Sequence, residues 1–168
     1  TVVTFLPLVG VPVLLAWRRV PPDVARWLAL AITVAAFIVS LGMLGRFEPT
    51  DGGFQMVEEA DWVGPLGLRY VMGVDGVSVF LVLLTTFLFP VAILASWRVE
   101  RNVPAFMASM LVLETAVIGT FLALDLLLFF LFFMFGAMAG GGVQAWLVTV
   151  LHTVKGVDLG IATTALTA

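Results

Sequence analysis

The run VLETAVIGTFLALDLLLFFLFFMF, Val112 to Phe135, is almost wholly apolar. It carries two carboxylates, Glu114 and Asp125, and no basic residue. With its flanks it makes an apolar tract of about 38 residues, which as one helix is about 57 Å long at 1.5 Å per residue. Bilayer hydrocarbon is only about 30 Å thick. The tract therefore has to break, and Asp125 divides it into two stretches of about 19 and 17 residues, each close to one membrane span. Aspartate is a good helix N-cap, and its charge suits the start of the helix that follows. Asp125 is thus expected to cap a helix at the membrane interface.

The rest of the chain repeats the pattern. Apolar runs near span length cover 1–17, 27–44, 77–96, 105–124 and 126–142. Hydrophobic residues make up 62% of the chain and charged residues 11%, whereas a soluble domain has about 25% charged. The fold class expected is all-α, a polytopic transmembrane helical bundle of about five to six spans. Pro7, Pro12 and Pro90 fall inside spans, which membrane helices tolerate. Residues 45–76 form the one sizeable polar segment, broken by Asp51-Gly52-Gly53, Gly64-Pro65 and Asp75-Gly76. Within it, GLRYVMGV is expected to form a strand or half a hairpin. Val143 to Val154 is too short to span alone, so 143–168 is read as a sixth span or an interfacial helix. The chain opens at Thr1 inside an apolar run with no basic residues ahead, so it is not a signal peptide and reads as a piece of a longer protein.

Arginine placement sets the orientation. Arg18, Arg19 and Arg26 fall in the first connection and Arg98 and Arg101 in the third, while the second connection is acidic. The positive-inside rule puts the basic connections in the cytoplasm and the amino end and 45–76 loop outside, in a bacterium the periplasm of an inner-membrane protein. Trp17, Trp27, Trp97 and Trp146 fall near span ends, as interfacial anchors do.

Little chemistry is encoded elsewhere. The absence of cysteine excludes disulfides and thiolate metal sites, and a single histidine, His152, cannot make a histidine-cluster metal site. A net charge of −3 without a basic patch argues against nucleic acid. Glu114 lies about 14 Å into its span, near mid-membrane. A charge is costly there, so Glu114 is a proton-path candidate, with a neutral, hydrogen-bonded structural glutamate (on Thr115, Thr120 or a neighbouring subunit) as the alternative. Asp75, in GVDGVS, is expected to cap the helix after the acidic loop, with Ser78 as the alternative cap. His152, Lys155 and Asp158 are spaced three apart, which allows a relay along one helix face, though an interfacial stretch with a snorkelling lysine fits the same pattern. Gly136/Gly140 and Gly156/Gly160 match the close-packing spacing of small residues. No nucleotide loop, haem ligand pair, flavin fingerprint or nucleophilic triad is present.

Several stretches together carry a family likeness. FQMVEEADWV, YVMGVDGVSVFLVLLTTFLFPVAILASW and ASMLVLETAVIGTFLALDLLLFFLFF resemble the amino-terminal part of chain M, an antiporter-like membrane subunit of proton-translocating NADH:quinone oxidoreductase (respiratory complex I). The likeness runs from about Thr1 to Phe133. It implies a subunit of fourteen or so helices that moves protons, with 1–142 as its first membrane helices and other membrane subunits of complex I and the lipid bilayer as partners. It implies no cofactor bound by this chain; NADH, flavin, iron–sulfur clusters and quinone belong to the other subunits. Asp75 and Asp125 match motif positions. After DLLLFFLFF the family places a glutamate, a central member of its proton path, where this chain has Met134. His152 and Lys155 match no family position, and 143–168 does not follow the family. A tail that is not a native continuation fits this break better than a degenerate paralogue. The alternatives to the complex I reading are a subunit of a multi-subunit sodium/proton antiporter and a non-catalytic membrane fragment.

Overall fold

A computed structural model describes residues 1–16, 20–50, 52–63, 68–100 and 102–155. The expectations for Trp17, Arg18, Arg19, Asp51, Gly64-Pro65, Arg101, Asp158, the Gly156/Gly160 pair and the 156–168 part of the sixth span concern positions outside the described residues, as do the side chains of Trp146, His152 and Lys155. Four helices are long and apolar enough to cross a membrane: α3 (Pro22–Leu44), α4 (Ser78–Ala95), α5 (Val103–Leu122) and the Leu126–Ala145 part of α6 (Leu126–Lys155). The amino-terminal apolar stretch is shorter and divided into α1 (Val2–Phe5), a 3-10 turn (Pro7–Val9) and α2 (Gly10–Ala16). Pro7 causes the division, because it has no N–H to donate to the Val3 carbonyl.

Helix ends follow from local chemistry. Pro22 takes the first position of α3 and Asp23 its first turn, so the helix starts five residues earlier than its apolar run. Arg26 thereby belongs to α3 and not to the connection. Its guanidinium reaches Asp23 at 2.6 Å and donates to the Val99 carbonyl at 2.8 Å. Trp27 meets Trp97 edge-on with ring centroids 5.1 Å apart. Together these tie the start of α3 to the third connection. Asn102, before α5, adopts a left-handed conformation, which asparagine tolerates better than most residues.

α5 lies at the centre, with α1, α2, α3, α4 and α6 all packed on it. Helices in lipid associate through close packing and polar contacts instead of hydrophobic exclusion, so small residues mark their interfaces. α3 buries Ala25, Ala29, Thr33, Ala36 and Ser40 in a stripe at helical spacing. Ser40 and Thr86 of α4 share a hydrogen bond at 2.8 Å, both side chains fully buried. On α6, a Cβ at Gly136 would sit 3.3 Å from that of Ala116, so this part of the small-residue pair faces α5. Gly119 is tighter still: a Cβ there would lie 2.3 Å from the Phe132 ring. α6 continues through its glycine triplet, 140–142, where the span was expected to end, because a helix in hydrocarbon cannot exchange its backbone hydrogen bonds for water, and the helix runs on to Lys155.

The polar loop folds as an antiparallel hairpin of β1 (Gln55–Val63) and β2 (Leu68–Val74), so the expected strand has a partner. Ala60 pairs with Tyr70 and Asp61 with Arg69; a bulge between Gln55 and Glu58 puts Met56 at φ 50°. β2 also engages the connection between α5 and α6. Leu124 donates its N–H to the Val71 carbonyl at 2.9 Å, and Met72 bridges to Ala123. Gly73 permits this approach, since a Cβ there would lie 2.8 Å from Leu124 Cδ1.

Candidate proton-path site

Glu114 is the one carboxylate on the buried face of α5, its side chain fully buried. It sits twelve positions into a twenty-residue helix, between Leu111 on one side and Ile118 on the other, both also fully buried. Neither carboxyl oxygen has a hydrogen-bond partner among the described residues. The expected structural partners are not engaged with it. Thr120 donates to the Ala116 carbonyl at 2.8 Å, and the Thr115 hydroxyl is itself buried and unpartnered. A buried polar group left unpaired costs about 1–3 kcal/mol, more when charged, so this is an energetically exposed position. Such a group is chemically able to take up and release a proton once water or another helix reaches it.

Asp75 and Asp125 are placed at helix starts. Asp125 Oδ1 accepts from the N–H groups of Leu127 and Leu128 at 2.9 and 3.1 Å, and its carbonyl accepts from Phe129. Asp75 Oδ1 accepts from Val77 and Ser78 N–H at 3.1 and 2.6 Å, while Ser78 Oγ accepts from Asp75 N–H at 2.8 Å. This reciprocal pair is a capping box with aspartate as cap and serine at the third position. The Ser78 N–H and hydroxyl hold the Asp75 carboxyl below the ordinary aspartate range. Positions 152 and 155 fall on the last turns of α6, and their side chains lie outside the described residues. Met134 is half exposed on the outer face of α6, beside Phe133 and Phe135. No group of three or more metal-ligating side chains occurs among the described residues.

The hairpin contributes a second polar cluster. Glu58 accepts a hydrogen bond from the Thr1 hydroxyl, which holds its carboxyl low, and Tyr70 lies 2.8 Å from the same hydroxyl. Burial pushes the Tyr70 phenol up. A cavity of about 310 Å³ lies beside these groups, with Arg46, Met72 and Leu122 on its walls. Sequence reasoning did not find Thr4, whose side chain is fully buried and whose hydroxyl is unpartnered. Its one signal was a hydroxyl placed three residues before Pro7 in an apolar run.

Residues 25–125 match the family model described as NADH-ubiquinone oxidoreductase chain 4, amino terminus. This chain belongs to that family. The matched stretch starts on the buried face of α3 and ends at the Asp125 cap, so it contains the hairpin, the Asp75 capping box and Glu114. NADH-quinone oxidoreductase subunit M of Rhodobacter capsulatus is 46% identical over 140 residues, 81% of this chain and 27% of that protein. NAD(P)H-quinone oxidoreductase chain 4 2 of Microcystis aeruginosa is 43% identical over 107 residues, 63% of this chain and 19% of that protein. NADH-ubiquinone oxidoreductase chain 4 of Mycosarcoma maydis is 35% identical over 137 residues, covering 79% and 28%. The chain thus spans between about a fifth and just over a quarter of the length of these curated relatives. Family membership and four span-length apolar helices make this chain 4 family member a multi-pass membrane protein.

Proposed function

We propose that the chain forms the first helices of a proton-translocating membrane subunit of NADH:quinone oxidoreductase, with Glu114 as a proton-carrying group. The observation that carries this reading is a fully buried, unpartnered carboxyl at mid-height of the central helix, in a chain of this family. In hydrocarbon the neutral acid is the cheap form, so charging Glu114 has to be coupled to water or to a second charge arriving beside it. That coupling is what a relay uses: the carboxyl accepts a proton from one side and gives up the same proton to the other, with no net chemistry. Asp75 and Asp125 serve as caps that fix the outer ends of α4 and α6. His152 and Lys155 remain secondary candidates at the far end of α6. Residues 1–142 form the membrane unit that resembles the family's first helices, and 143–168 a tail that does not match the family.

The redox steps belong elsewhere in the parent complex. NADH, flavin, iron–sulfur clusters and quinone bind other subunits, and this chain's partners are the other membrane subunits and the lipid. The amino end and the hairpin face the periplasm of a bacterial inner membrane, with Arg26 and Arg98 inside. Single cysteines test the orientation: labelling by an impermeant reagent from the outside at 52–54 and not at position 98 is expected, and the reverse pattern removes it. Glu114→Gln in the assembled complex tests the relay. Lower proton pumping per NADH oxidised, with the complex intact, is expected; normal pumping returns Glu114 to a structural role.

A further inference from the structure

We infer that Thr4, Glu114 and Thr115 hold internal water between α1 and α5, at the point where Pro7 breaks the amino-terminal helix. This deepens the Glu114 reading, on whose functional half it rests, by naming what brings protons to the carboxyl.

Seven of the described hydroxyl side chains in the long helices satisfy themselves on their own helix. Thr33, Ser40, Thr85, Thr86, Ser109, Thr120 and Thr149 each donate to a carbonyl three or four residues back. Thr4 and Thr115 do not, although Thr115 has the Leu111 carbonyl in the usual position. Their side chains are 0% and 4% exposed and that of Glu114 is 0%. Four polar atoms, the two hydroxyls and both carboxyl oxygens, are therefore sealed without a described protein partner. Buried polar groups without protein partners are the normal site of internal water. Pro7 adds a fifth group, since the Val3 carbonyl lacks its usual donor four residues on.

Register brings these groups together. A Cβ at Gly10 would lie 2.8 Å from Leu111 Cδ1, which fixes one level of contact between the amino-terminal stretch and α5. Val3 shares a buried cluster with Ile118 and Leu122, so the two segments run antiparallel above that level. From Gly10, Thr4 is about 10 Å away along the axis, counting the 3-10 turn at about 2.0 Å per residue. Glu114 and Thr115 are about 4.5 and 6 Å from Leu111 in the same direction. The axial offset is about 4–6 Å, so Thr4 lies about one helical turn beyond Glu114 and Thr115 along the interface of the two segments. Val3, Leu111 and Ile118 of the same two segments are buried and apolar.

The test is a map of the assembled complex at a resolution where buried waters elsewhere are visible, for the wild type, Thr4→Val, Thr115→Val and Thr4→Ser. Valine keeps the shape of threonine and removes the hydroxyl. The inference expects a water within about 3.2 Å of the Glu114 carboxyl and of one threonine hydroxyl in the wild type. It expects that water to persist in Thr4→Ser and to weaken or vanish in the valine variants. A dry wild-type interface, or direct bonds between Glu114 and the threonines, overturns it, whether or not the variants assemble. The outcome separates from the relay itself. Water present with Glu114→Gln pumping normally keeps the site and removes the relay; no water with Glu114→Gln impaired keeps the relay and removes the site.

Discussion

Gly119→Ala isolates the contact that sets how closely α5 and α6 approach. The new methyl would lie 2.3, 2.4 and 2.5 Å from three atoms of the Phe132 ring. Ordinary carbon contacts are about 3.5–4.0 Å, so the ring has to retreat by more than about 1 Å. It has little room, because Phe132 is buried among Val3, Ile118, Leu122 and Leu128 and its ring centroid is 6.0 Å from that of Phe5. Overpacking of this kind costs about 1–3 kcal/mol. Alanine returns up to about 1 kcal/mol through helix propensity, so the single variant understates the collision. A double-mutant cycle removes that offset. In Phe132→Ala the collision is gone, and Gly119→Ala should be neutral or stabilising by up to about 1 kcal/mol. The coupling between the two positions should be about 1–3 kcal/mol, read from equilibrium unfolding in mixed detergent micelles. Equal effects of Gly119→Ala in both backgrounds, within about 0.5 kcal/mol, refute the argument.

Three further outcomes are expected. Asp125→Ala should destabilise the subunit by about 0.5–2 kcal/mol in the same unfolding assay, and Asp125→Asn by much less, because asparagine still accepts from Leu127 and Leu128. A cycle of Ser40→Ala and Thr86→Val should give a coupling near 0.6 kcal/mol, the usual size of a hydrogen bond between membrane helices, and a value of zero would remove the bridge from the packing account. The Asp75 carboxyl is held below its ordinary value in the folded chain, so its contribution is complete above the ordinary aspartate range and is lost as pH falls through the depressed value. An acid titration of stability should therefore lose part of its steepness in Asp75→Asn.

The spans were legible because lipid imposes a length, and the run ending at Leu124 could not continue through a charged cap residue. Asp125 gave the start of α6 at Leu126 and the end of α5 to within two residues, since its charge and its capping preference point the same way. α3 was less legible: Asp23 and Arg26 made its first turn resemble a loop, although Pro22 and Asp23 are themselves helix-start signals. β2 was visible in LRYVMGV, but β1 was not, because Glu58, Glu59 and Asp61 interrupt its apolar alternation while facing solvent. Glu114 could be found from its charge alone. Thr4 could not, because whether a threonine satisfies itself depends on its rotamer and its neighbours, and neither is written locally.

The bond from Leu124 to Val71 makes the hairpin more than a cover for the outer end of the bundle. A protease or a reporter insertion should meet two very different loops within one segment. Residues 52–54 precede the ladder, which begins at Gln55, and should accept cuts and insertions. Val71 and Met72 are paired on both edges, by β1 and by the corner at 123–124, and should resist both. An insertion there would separate α4 from the corner between α5 and α6, so its penalty should appear as lost subunit, not as a lengthened loop.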